Sequence, residues 1–334
     1  MAANTDYYCI EDNYSEEQIL IRNATRDWVK KHVKPHIEEH FQRAETPSYL
    51  VKELSNIGAF GLIIPENYGG VGADYISFGL MMQELEKGDS SIRVISSIQT
   101  SLVMYAIYKF GSEEQRAKYL PKLATGEMLG AFGLTEPDFG SNPSSMHSYY
   151  KEDGDNIVIN GSKMWIGNAE TADIAIIWIK DESAEVRGVI IETKNITNFT
   201  TTTLKDKWSF RSSKTGELVF SDSVVSKDQV LAKSTSIQNA YECLNIGRYA
   251  VAWGSIGIAM ECYETALQYS KERIQFGKPI GSNQLIQKKL TDMITEITKA
   301  QLLCYQLGKL MDEGKANYQQ ISMAKRNNVK MAQS

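Results

Sequence analysis

The sequence predicts a mostly α-helical protein with a β domain in its middle, and three observations support this fold class. Residues 1–130 place apolar side chains at helical spacing, and residues 131–232 form short alternating runs rich in β-branched side chains. Residues 233–334 return to long helical patterns. A chain of 334 residues is too long for one small core. We therefore expect three domains divided at residues 130 and 232, with a small barrel or sandwich as the middle one.

The bulk composition excludes several classes of protein. With 42% hydrophobic and 23% charged residues the chain is typical of a globular protein, and its net charge of -5 argues against a nucleic-acid binder, which needs a basic face. The four cysteines form no C-x-x-C pair, which favours reduced thiols in an intracellular protein over a disulfide frame or a zinc site. No apolar run reaches the length of a membrane span, and the polar N-terminus resembles neither a signal peptide nor a transit peptide.

The N-terminal segment begins with a capping box at residues 15–18, followed by apolar positions at helical spacing. His32, His36 and His40 continue that spacing and raise the hypothesis of a metal site. Ligands spread over two full turns cannot all reach one ion, and Pro35 interrupts the helix between them. We therefore interpret these histidines as a solvated helix face and expect no bound metal.

Further helices are predicted at residues 49–57, 75–87 and 93–109, and a glycine-dense loop follows the first of them. This loop, residues 61–72, contains neither G-x-G-x-x-G nor G-K-[ST], so it is not a phosphate-binding fingerprint. Arg93 stands among apolar neighbours, two turns after Glu86. Such an arginine is either a structural ion-pair partner or a fork that accepts a substrate carboxylate, and the residues alone leave both interpretations open.

Residues 130–141, Gly-Ala-Phe-Gly-Leu-Thr-Glu-Pro-Asp-Phe-Gly-Ser, combine glycines and a proline with apolar side chains. Glycines at this spacing let backbone N–H groups approach a ligand, and the hydroxyls of Thr135 and Ser141 can bond its polar atoms. On composition alone, a plain connector between a helix and a strand is favoured over a ligand-binding loop.

Short strands are predicted at residues 148–151, 157–159, 172–180, 187–192, 199–204 and 217–225. A hairpin turn is expected at the Asp-Gly-Asp of residues 153–155 and a further turn at the Asn-Gly of residues 160–161. Between two of the strands lies the indole of Trp165. It is either a core residue or a plate against a flat ring, and a core residue is favoured when Trp165 is considered alone.

Long helices are predicted at residues 237–270 and 283–312, and a third from residue 317 to the end. The first of these carries small residues that allow close helix packing, namely Gly247, Ala250, Gly254 and Gly257. Because the third pattern reaches Ser334 with no cap or closing turn, we expect the natural chain to continue beyond it.

Three motifs, taken together in this order and spacing, carry a resemblance. They are Phe-Gly-Leu-Thr-Glu-Pro at residues 132–137, Asn-Gly-x-Lys-x-Trp-Ile at residues 160–166 and Arg-x-Gln-Phe-Gly-x-Pro-Ile at residues 273–280. With the order of helices, β unit and helical bundle, the sequence resembles the acyl-CoA dehydrogenase family over essentially its whole length. Within that family it is most similar to the glutaryl-CoA dehydrogenases, in the segments 93–104, 143–146, 248–254 and 283–290.

The resemblance implies a central β-barrel domain between helical domains, FAD bound without covalent attachment, and an acyl-CoA thioester as substrate, with glutaryl-CoA favoured. It implies that a carboxylate removes the α-proton while the β-hydride passes to flavin N5, with decarboxylation to crotonyl-CoA left open. It further implies electron-transferring flavoprotein as the electron acceptor and a homo-oligomer, usually a tetramer. The implied location is cytoplasmic in a bacterium and the mitochondrial matrix in a eukaryote.

The resemblance also assigns site residues by position. Contacts with FAD are assigned to Phe132, Leu134, Thr135, Gly140, Ser141, Trp165, Ile166 and Gly167. Contacts with the FAD of a neighbouring subunit are assigned to Arg273, Phe276 and Gln284. The acyl-CoA channel is assigned to Ser141, Tyr241, Leu244, Asn245 and Arg248, and the region around the distal glutaryl carboxylate to Glu86, Arg93 and Val94.

Three positions depart from the family pattern. Gly167 stands where the family has a Thr or Ser whose hydroxyl bonds flavin N5, and Val94 stands where glutaryl-CoA dehydrogenases have a serine that contacts the substrate carboxylate. The family's catalytic glutamate normally lies in a C-terminal Tyr-Glu-Gly-Thr segment, which we expect beyond Ser334. Gly247 occupies the alternative base position, just before Arg248, so no residue of this sequence is assigned as the proton acceptor.

Other functions stay open at this stage. A short-chain or branched acyl-CoA dehydrogenase is the alternative within the enzyme class, and the dependence of glutaryl-CoA turnover on Arg93 separates the two. A non-catalytic acyl-CoA-binding or flavin-binding paralogue without the base is a second class. A flavin oxidase or monooxygenase on the same fold is a third, marked by fast reaction of its reduced flavin with oxygen.

Overall fold

The computed structural model describes residues 4–334. The helices before the sheet are α1 (Glu16–Trp28), α2 (Ile37–Arg43), α3 (Ser48–Leu54), α4 (Tyr75–Gly88), α5 (Ser90–Ser97), α6 (Tyr105–Phe110) and α7 (Glu113–Ala124). The strands are β1 (Gly130–Gly133), β2 (Tyr149–Asp153), β3 (Asn156–Gly167), β4 (Ile174–Lys180), β5 (Val186–Glu192), β6 (Phe199–Thr203) and β7 (Thr215–Ser226). Then follow α8 (Ile237–Glu272), β8 (Ile274–Gln275), β9 (Lys278–Pro279), α9 (Gln284–Asp312) and α10 (Tyr318–Gln333). Helix accounts for 54% and strand for 17% of the structure, which confirms the predicted mostly α class with a central β domain.

Local sequence signals fix several helix starts. The Ser15 hydroxyl accepts a hydrogen bond from the Gln18 N–H while the Gln18 side chain accepts one from the Ser15 N–H, which confirms the predicted capping box. The same reciprocal bonds join Ser112 and Gln115 at the start of α7, a helix that the sequence analysis did not assign. After α1 the chain passes through a wider π-helical turn, Val29–Val33, before α2 begins.

The described chain forms two compact units. The helical unit comprises the residues up to Pro35, Asp74–Arg93 and Arg248–Ser334, and the mixed unit comprises His36–Ala73 and Val94–Gly247. Two of the four boundaries between them fall inside α5 and α8, and the other two fall in the segments before α2 and α4. The division into three domains at residues 130 and 232 stays a prediction, because these two compact units do not test it.

Close approach of α4 and α8 organises the helical unit. A β-carbon at Gly257 of α8 would lie 2.0 Å from the backbone oxygen of Gln83, and one at Gly79 of α4 would lie 2.3 Å from the indole ring of Trp253. Neither neighbour can make room for a methyl group, because one is helix backbone and the other is a fully buried ring. The predicted role of small residues in this helix is therefore confirmed at Gly257.

The mixed unit contains a seven-stranded sheet of order β1-β4-β2-β3-β7-β6, and β5 pairs with β4 outside this path. β1 lies parallel to β4, with Phe132 opposite Ile176, whereas β3 and β7 form a long antiparallel pair. Alternate residues of β4 enter two cores, one around Trp178 and one around Ile177. This half-barrel is the central β domain that the sequence predicts.

Two sequence predictions about this sheet are wrong, and one is confirmed. Residues 130–133 form strand β1, although a connector was favoured there, and all four residues are buried, so the alternation that marks a half-exposed strand is missing. Strand β3 continues through residues 160–161, where a turn was expected, because Gly161 takes a φ of +137° at an irregular point of the register. The hairpin at residues 153–155 is confirmed, since β2 and β3 pair across it.

The histidines that raised the metal hypothesis have other neighbours. His32 stacks on Trp28 with 5.9 Å between ring centroids, and His40 lies 6.0 Å from the ring of Tyr49. Within residues 4–334 no group of three His, Cys, Asp or Glu side chains is arranged to hold a metal ion. Over the same residues, none of the helices combines the length and the apolar character needed to cross a bilayer.

Candidate active site

The segment that follows β1 carries most of the residues assigned to the flavin. The side chains of Phe132 and Leu134 are buried in the hydrophobic core of the mixed unit. Thr135 is half-buried, and Gly140 and Ser141 are exposed. This segment therefore offers a ligand the hydroxyls of Thr135 and Ser141 together with backbone groups, while its phenyl ring and its leucine stabilise the fold.

A buried ion pair lies beneath this segment. Lys163 of β3 has no exposed surface, and its Nζ donates to Oε1 of Glu136 at 2.8 Å and to the carbonyl oxygen of Leu134 at 3.2 Å. The same carboxylate accepts hydrogen bonds from the backbone N–H groups of His147, at 2.7 Å, and Ser148, at 3.0 Å. Lys163 and Glu136 belong to two separate sequence motifs, and their pairing could not be predicted, because they are 27 residues apart and only the position of β3 brings them together.

Burial and charge act in opposite directions on this pair. Burial lowers the pKa of Lys163 to about 8, against the charge of Glu136, which raises it. Burial by itself raises the pKa of Glu136, but the charge and hydrogen bond of Lys163, with the bonds from Ser148 and His147, outweigh it and hold that pKa below its usual range. Both groups are therefore charged at neutral pH.

A bulge in β3 turns Trp165 outward. The register against β7 shifts between Met164 and Ile166, and Trp165 between them has a left-handed φ of +64°. Its indole is 64% exposed, whereas Ile166 is buried in the core. The backbone N–H of Met164 donates to the carbonyl oxygen of Thr135 at 2.8 Å, which ties the bulge to the segment after β1. The interpretation of Trp165 as a core residue is thus wrong, and its ring can meet a flat ligand.

Gly167, at the end of β3, lies against Ile98. A β-carbon at Gly167 would lie 2.4 Å from Cδ1 of Ile98, while the next Ile98 atom, Cγ1, would be 3.9 Å away. Ile98 belongs to a π-helical turn, Ile98–Met104, that follows α5. Its terminal methyl group therefore fills the space that a side chain at position 167 would need.

The segment between β6 and β7, residues 204–214, was missed by the sequence analysis. Lys207 holds it closed by donating from Nζ to the carbonyl oxygens of Phe210, at 2.8 Å, and Ser213, at 2.5 Å. Burial lowers the pKa of Lys207. Trp208 projects from this segment and is 96% exposed. The one signal in the sequence was the presence of two aromatic side chains in a polar inter-strand segment.

These elements line an open cavity of about 500 Å³, a volume that suits a small-molecule ligand. Its lining residues are Val94, Ile98, Trp165, Gly167, Leu204, Lys205, Asp206, Lys207, Trp208, Ser209, Phe210, Ser213 and Thr215. Of the residues assigned to FAD, Trp165 and Gly167 line it, and Val94 of the substrate set lines it as well. Thr135 and Ser141 do not belong to this lining. An apolar cavity with an exposed indole can hold a flat ring system.

The first turns of α8 carry three residues assigned to the acyl-CoA channel. Tyr241, Leu244 and Asn245 are each half-buried, and Leu244 packs against the core of the mixed unit. A β-carbon at Gly247 would lie 3.3 Å from Cδ2 of Leu102. A glycine provides no proton acceptor at this alternative base position.

The helical unit contains the residues assigned to a distal carboxylate. Arg93 is 5% exposed and donates from Nε to the carboxylate of Glu86, which also accepts the hydroxyl of Ser90 at 2.5 Å. A β-carbon at Gly254 would lie 2.8 Å from Oε2 of Glu86, so the glycine leaves room for the pair. The predicted ion pair is confirmed, and its role toward a substrate stays a prediction. Arg248 of the same unit is half-buried.

The residues assigned to the FAD of a neighbouring subunit lie at an exposed hairpin. β8 and β9 pair in antiparallel fashion around Phe276 and Gly277, which have φ values of +50° and +74°. Positive φ at both central residues is typical of a type I′ turn. Phe276 is 97% exposed, and Arg273 and Gln284 are exposed as well.

Comparison with known proteins identifies the family. Models of the acyl-CoA dehydrogenase N-terminal, middle and C-terminal domains match residues 15–127, 131–223 and 237–334. The chain belongs to the acyl-CoA dehydrogenase family. As a member it is a flavin-dependent oxidoreductase that acts on CH–CH bonds, as the sequence resemblance implied.

Individual relatives of this acyl-CoA dehydrogenase cover most of the chain. Glutaryl-CoA dehydrogenase of Desulfococcus multivorans is 36% identical over 317 residues, which span 91% of this chain and 80% of that protein. The crystal structure of a glutaryl-CoA dehydrogenase from Mycobacterium smegmatis in complex with FADH2 is 37% identical, with a TM-score of 0.96, and covers 99% of this chain and 85% of its own. A chain in a structure described as electron transferring flavoprotein of Acidaminococcus fermentans is 34% identical, with a TM-score of 0.92. The match covers 95% of this chain and 85% of that chain.

The geometry of this acyl-CoA dehydrogenase fits a flavin. The exposed face of Trp165 offers a flat apolar surface within a cavity of about 500 Å³. A β-carbon at Gly140 would meet no heavy atom of the described chain within 4 Å, so the segment that carries the Thr135 and Ser141 hydroxyls is open at that point. These features supply the stacking surface and the hydrogen-bonding groups that an isoalloxazine ring and a ribityl chain require.

Proposed function

We propose that this acyl-CoA dehydrogenase binds FAD in the mixed unit and dehydrogenates glutaryl-CoA at the Cα–Cβ bond of the acyl chain. When bound, FAD accepts the hydride of the β-carbon. The observation that carries the choice of substrate is the buried pair of Arg93 and Glu86, because a guanidinium is the group that suits a carboxylate. The similar proteins from Desulfococcus multivorans and Mycobacterium smegmatis are described as glutaryl-CoA dehydrogenases, which supports the same substrate.

The residues that would hold FAD act in two ways. Trp165 would stack on the ring system, and the end of β3 at Ile166 and Gly167 would line it. The hydroxyls of Thr135 and Ser141 would bond polar atoms of the cofactor, and the backbone around Phe132, Leu134 and Gly140 would line its path. Their support is the outward bulge at Trp165 and the exposure of the segment that ends at Ser141.

Arg93 would bind the distal carboxylate of the glutaryl group. A guanidinium presents its N–H donors in a planar fork that suits the two oxygens of a carboxylate. Glu86 compensates the burial of the arginine and orients it, and Ser90 in turn holds Glu86 through a hydrogen bond. A butyryl group has no charge at this end, so its turnover should not require Arg93.

The remaining assignments complete the proposal. The CoA thioester would contact Ser141, Tyr241, Leu244, Asn245 and Arg248, and the α-proton would pass to a base at a position other than Gly247. Arg273, Phe276 and Gln284 would reach the FAD of a neighbouring subunit in a homotetramer, which the full exposure of Phe276 supports.

Electron-transferring flavoprotein is the proposed electron acceptor, and the similarity to a chain in the Acidaminococcus structure supports this partner. The expected location stays the cytoplasm of a bacterium or the mitochondrial matrix of a eukaryote.

Replacing Arg93 by alanine tests the substrate. We expect Arg93→Ala to lower kcat/KM for glutaryl-CoA by roughly 100-fold to 1,000-fold, because one partner of a buried charge pair is worth about 3–4 kcal/mol. The value for butyryl-CoA should change less than about fivefold. The ratio of the two values is the decisive quantity, since lost stability lowers both alike.

Arg26→Ala is the matched control. Arg26 forms an ion pair with Glu84 in the same helical unit, at 2.8 Å, and the proposal gives it no role in binding. Arg26→Ala should leave the ratio of kcat/KM for glutaryl-CoA to kcat/KM for butyryl-CoA unchanged. Equal losses on glutaryl-CoA and butyryl-CoA in Arg93→Ala would show that Arg93 only stabilises the fold.

A short-chain acyl-CoA dehydrogenase is the second candidate, and the apolar side chain of Val94 favours it. Val94 lies in the cavity wall and adds no hydrogen-bond donor beside Arg93. If butyryl-CoA is the better substrate of the unaltered protein and Arg93→Ala leaves it so, this candidate replaces the glutaryl proposal.

A further inference from the structure

The ion pair of Lys163 and Glu136 joins both ends of one surface segment to a strand. Glu136 lies three residues after the end of β1, and its carboxylate accepts the N–H groups of His147 and Ser148, which precede β2. Lys163 reaches the same carboxylate from β3 and also bonds the carbonyl oxygen of Leu134. The chain between these two anchors, residues 137–145, contains only one short 3₁₀ turn, Pro143–Ser145.

The pair is also connected to the bulge that presents Trp165. Met164, the residue after Lys163, donates its N–H to the carbonyl oxygen of Thr135 at 2.8 Å. A β-carbon at Gly133 would lie 3.2 Å from Cγ of Lys163, so β1 passes closely over this side chain. The hydroxyl-bearing segment and the outward indole are therefore fixed to one another through Lys163 and its neighbour.

We propose that Lys163 and Glu136 are positioning residues that hold the segment from Leu134 to Ser148 on β3 and thereby set the affinity for FAD. The inference rests on the proposed FAD site of the mixed unit. Neither side chain touches solvent enough to bind the cofactor itself, since Lys163 is fully buried and Glu136 is 5% exposed. They act through Thr135, Gly140 and Ser141, which lie between the two anchored ends of the segment.

The energetics of a buried ion pair favour such a role over simple stabilisation. Taking two charges out of water costs about as much as their attraction returns, so a buried pair is weak evidence for stability. Here the hydrogen bonds of the pair reach backbone groups at both ends of a single segment, and they give that segment one conformation. A preformed segment binds its ligand more tightly, because less ordering remains to be done on binding.

The test compares Lys163→Met, Glu136→Gln and the double variant with the unaltered protein. Two quantities are measured: the FAD dissociation constant from flavin fluorescence well below the melting temperature, and the Tm of each protein without and with FAD. We expect both single variants to weaken FAD binding at least tenfold and to reduce the rise in Tm that FAD produces. The double variant should recover most of the apo-protein Tm, since no lone charge stays buried, yet keep the weakened FAD binding.

Lys227→Met serves as the control. Lys227 forms an exposed ion pair with Glu152 in the same unit, at 2.5 Å, so its loss should change the FAD dissociation constant less than twofold. If Lys163→Met does not fold, Glu136→Gln decides alone, because glutamine keeps the shape and one acceptor oxygen.

Two results overturn the inference and can be told apart from failure of the proposed function. Variants with a lower Tm in the absence of FAD, but with an FAD dissociation constant within twofold of that of the unaltered protein, would show that the pair only stabilises the fold. Recovery of full FAD affinity in the double variant would equally contradict a positioning role. An unaltered protein that binds no FAD would instead contradict the proposed function itself, and the inference would fall with it.

Discussion

At the scale of single residues, Ile98 explains why the cavity wall can end in a glycine. Gly167 departs from the family pattern, and the sequence alone offers no reason for this departure. The structure supplies one, because Cδ1 of Ile98 lies 2.4 Å from the place of a β-carbon at position 167. The two positions are therefore coupled, because a side chain at 167 requires that the terminal methyl group of Ile98 move away or be absent.

A double-mutant cycle tests this coupling. Gly167→Ala alone should destabilise the protein by about 1 kcal/mol, the lower end for overpacking, because only the end of the Ile98 side chain has to move. Ile98→Val alone should destabilise it by about 0.5–1.5 kcal/mol through the lost methyl group. The double variant should be less destabilised than the sum, because the next atom of residue 98 would be 3.9 Å from the new β-carbon. Urea unfolding of the four proteins gives the coupling energy. Strict additivity would show that the two positions are independent.

At the scale of elements, the N-terminus of α4 is capped from two sides. Asp74, the N-cap residue, accepts the N–H of Ser77 at 2.7 Å, and Asp312 at the end of α9 accepts the N–H of Tyr75 at 2.6 Å. Burial raises the pKa of Asp312 to about 6, and the charge of Asp74 adds to this, against the hydrogen bonds from the α4 backbone. The cap thus joins α9 to α4 at the cost of placing two carboxylates close together.

The pH dependence of this cap has a definite sign. In the unfolded chain the pKa of an aspartate is about 4, so the folded protein holds the Asp312 proton more tightly. The stability that this group contributes is fully present below about pH 4 and is lost as pH rises through about 6. We expect Asp312→Asn, which keeps an acceptor oxygen for Tyr75, to raise Tm by about 2–4 °C at pH 7–8 and to have little effect near pH 4.

Calorimetry between pH 4 and pH 8 measures this difference. Asp27→Asn, which changes an exposed aspartate on α1, should leave Tm nearly unchanged over the same range. A lower Tm for Asp312→Asn at pH 7 would mean that the charged form of Asp312 is required for the cap.

Most elements could be predicted from local sequence, and the exceptions have a common physical reason. Capping boxes and apolar periodicity locate α1, α4, α8 and α9, because helices are stabilised by contacts within a few residues. Strand β1 was missed, because it is four residues long, buried on both faces and defined only by pairing with β4. The pair of Lys163 and Glu136 was missed for the same reason, since it depends on where β3 lies and on no local pattern.

At the scale of the whole molecule, the proposed roles are divided between the two compact units. The residues proposed to hold FAD within the same chain lie in the mixed unit, whereas Arg93 and Glu86 lie in the helical unit. Membership of the acyl-CoA dehydrogenase family could be predicted from three motifs in their order and spacing. The substrate could not, because Arg93 and Val94 point to different acyl groups. Reduction of bound flavin by glutaryl-CoA therefore tests both units in one measurement.

The most direct test is an anaerobic titration of the FAD-loaded protein with glutaryl-CoA, with butyryl-CoA in parallel, while the flavin absorbance is recorded. The proposal predicts that glutaryl-CoA bleaches the oxidised flavin and that butyryl-CoA does so far less. Bleaching by butyryl-CoA alone would contradict the carboxylate role of Arg93 and favour a short-chain enzyme. A bound flavin that neither thioester reduces would contradict dehydrogenation by the residues of this sequence, none of which is assigned as the base.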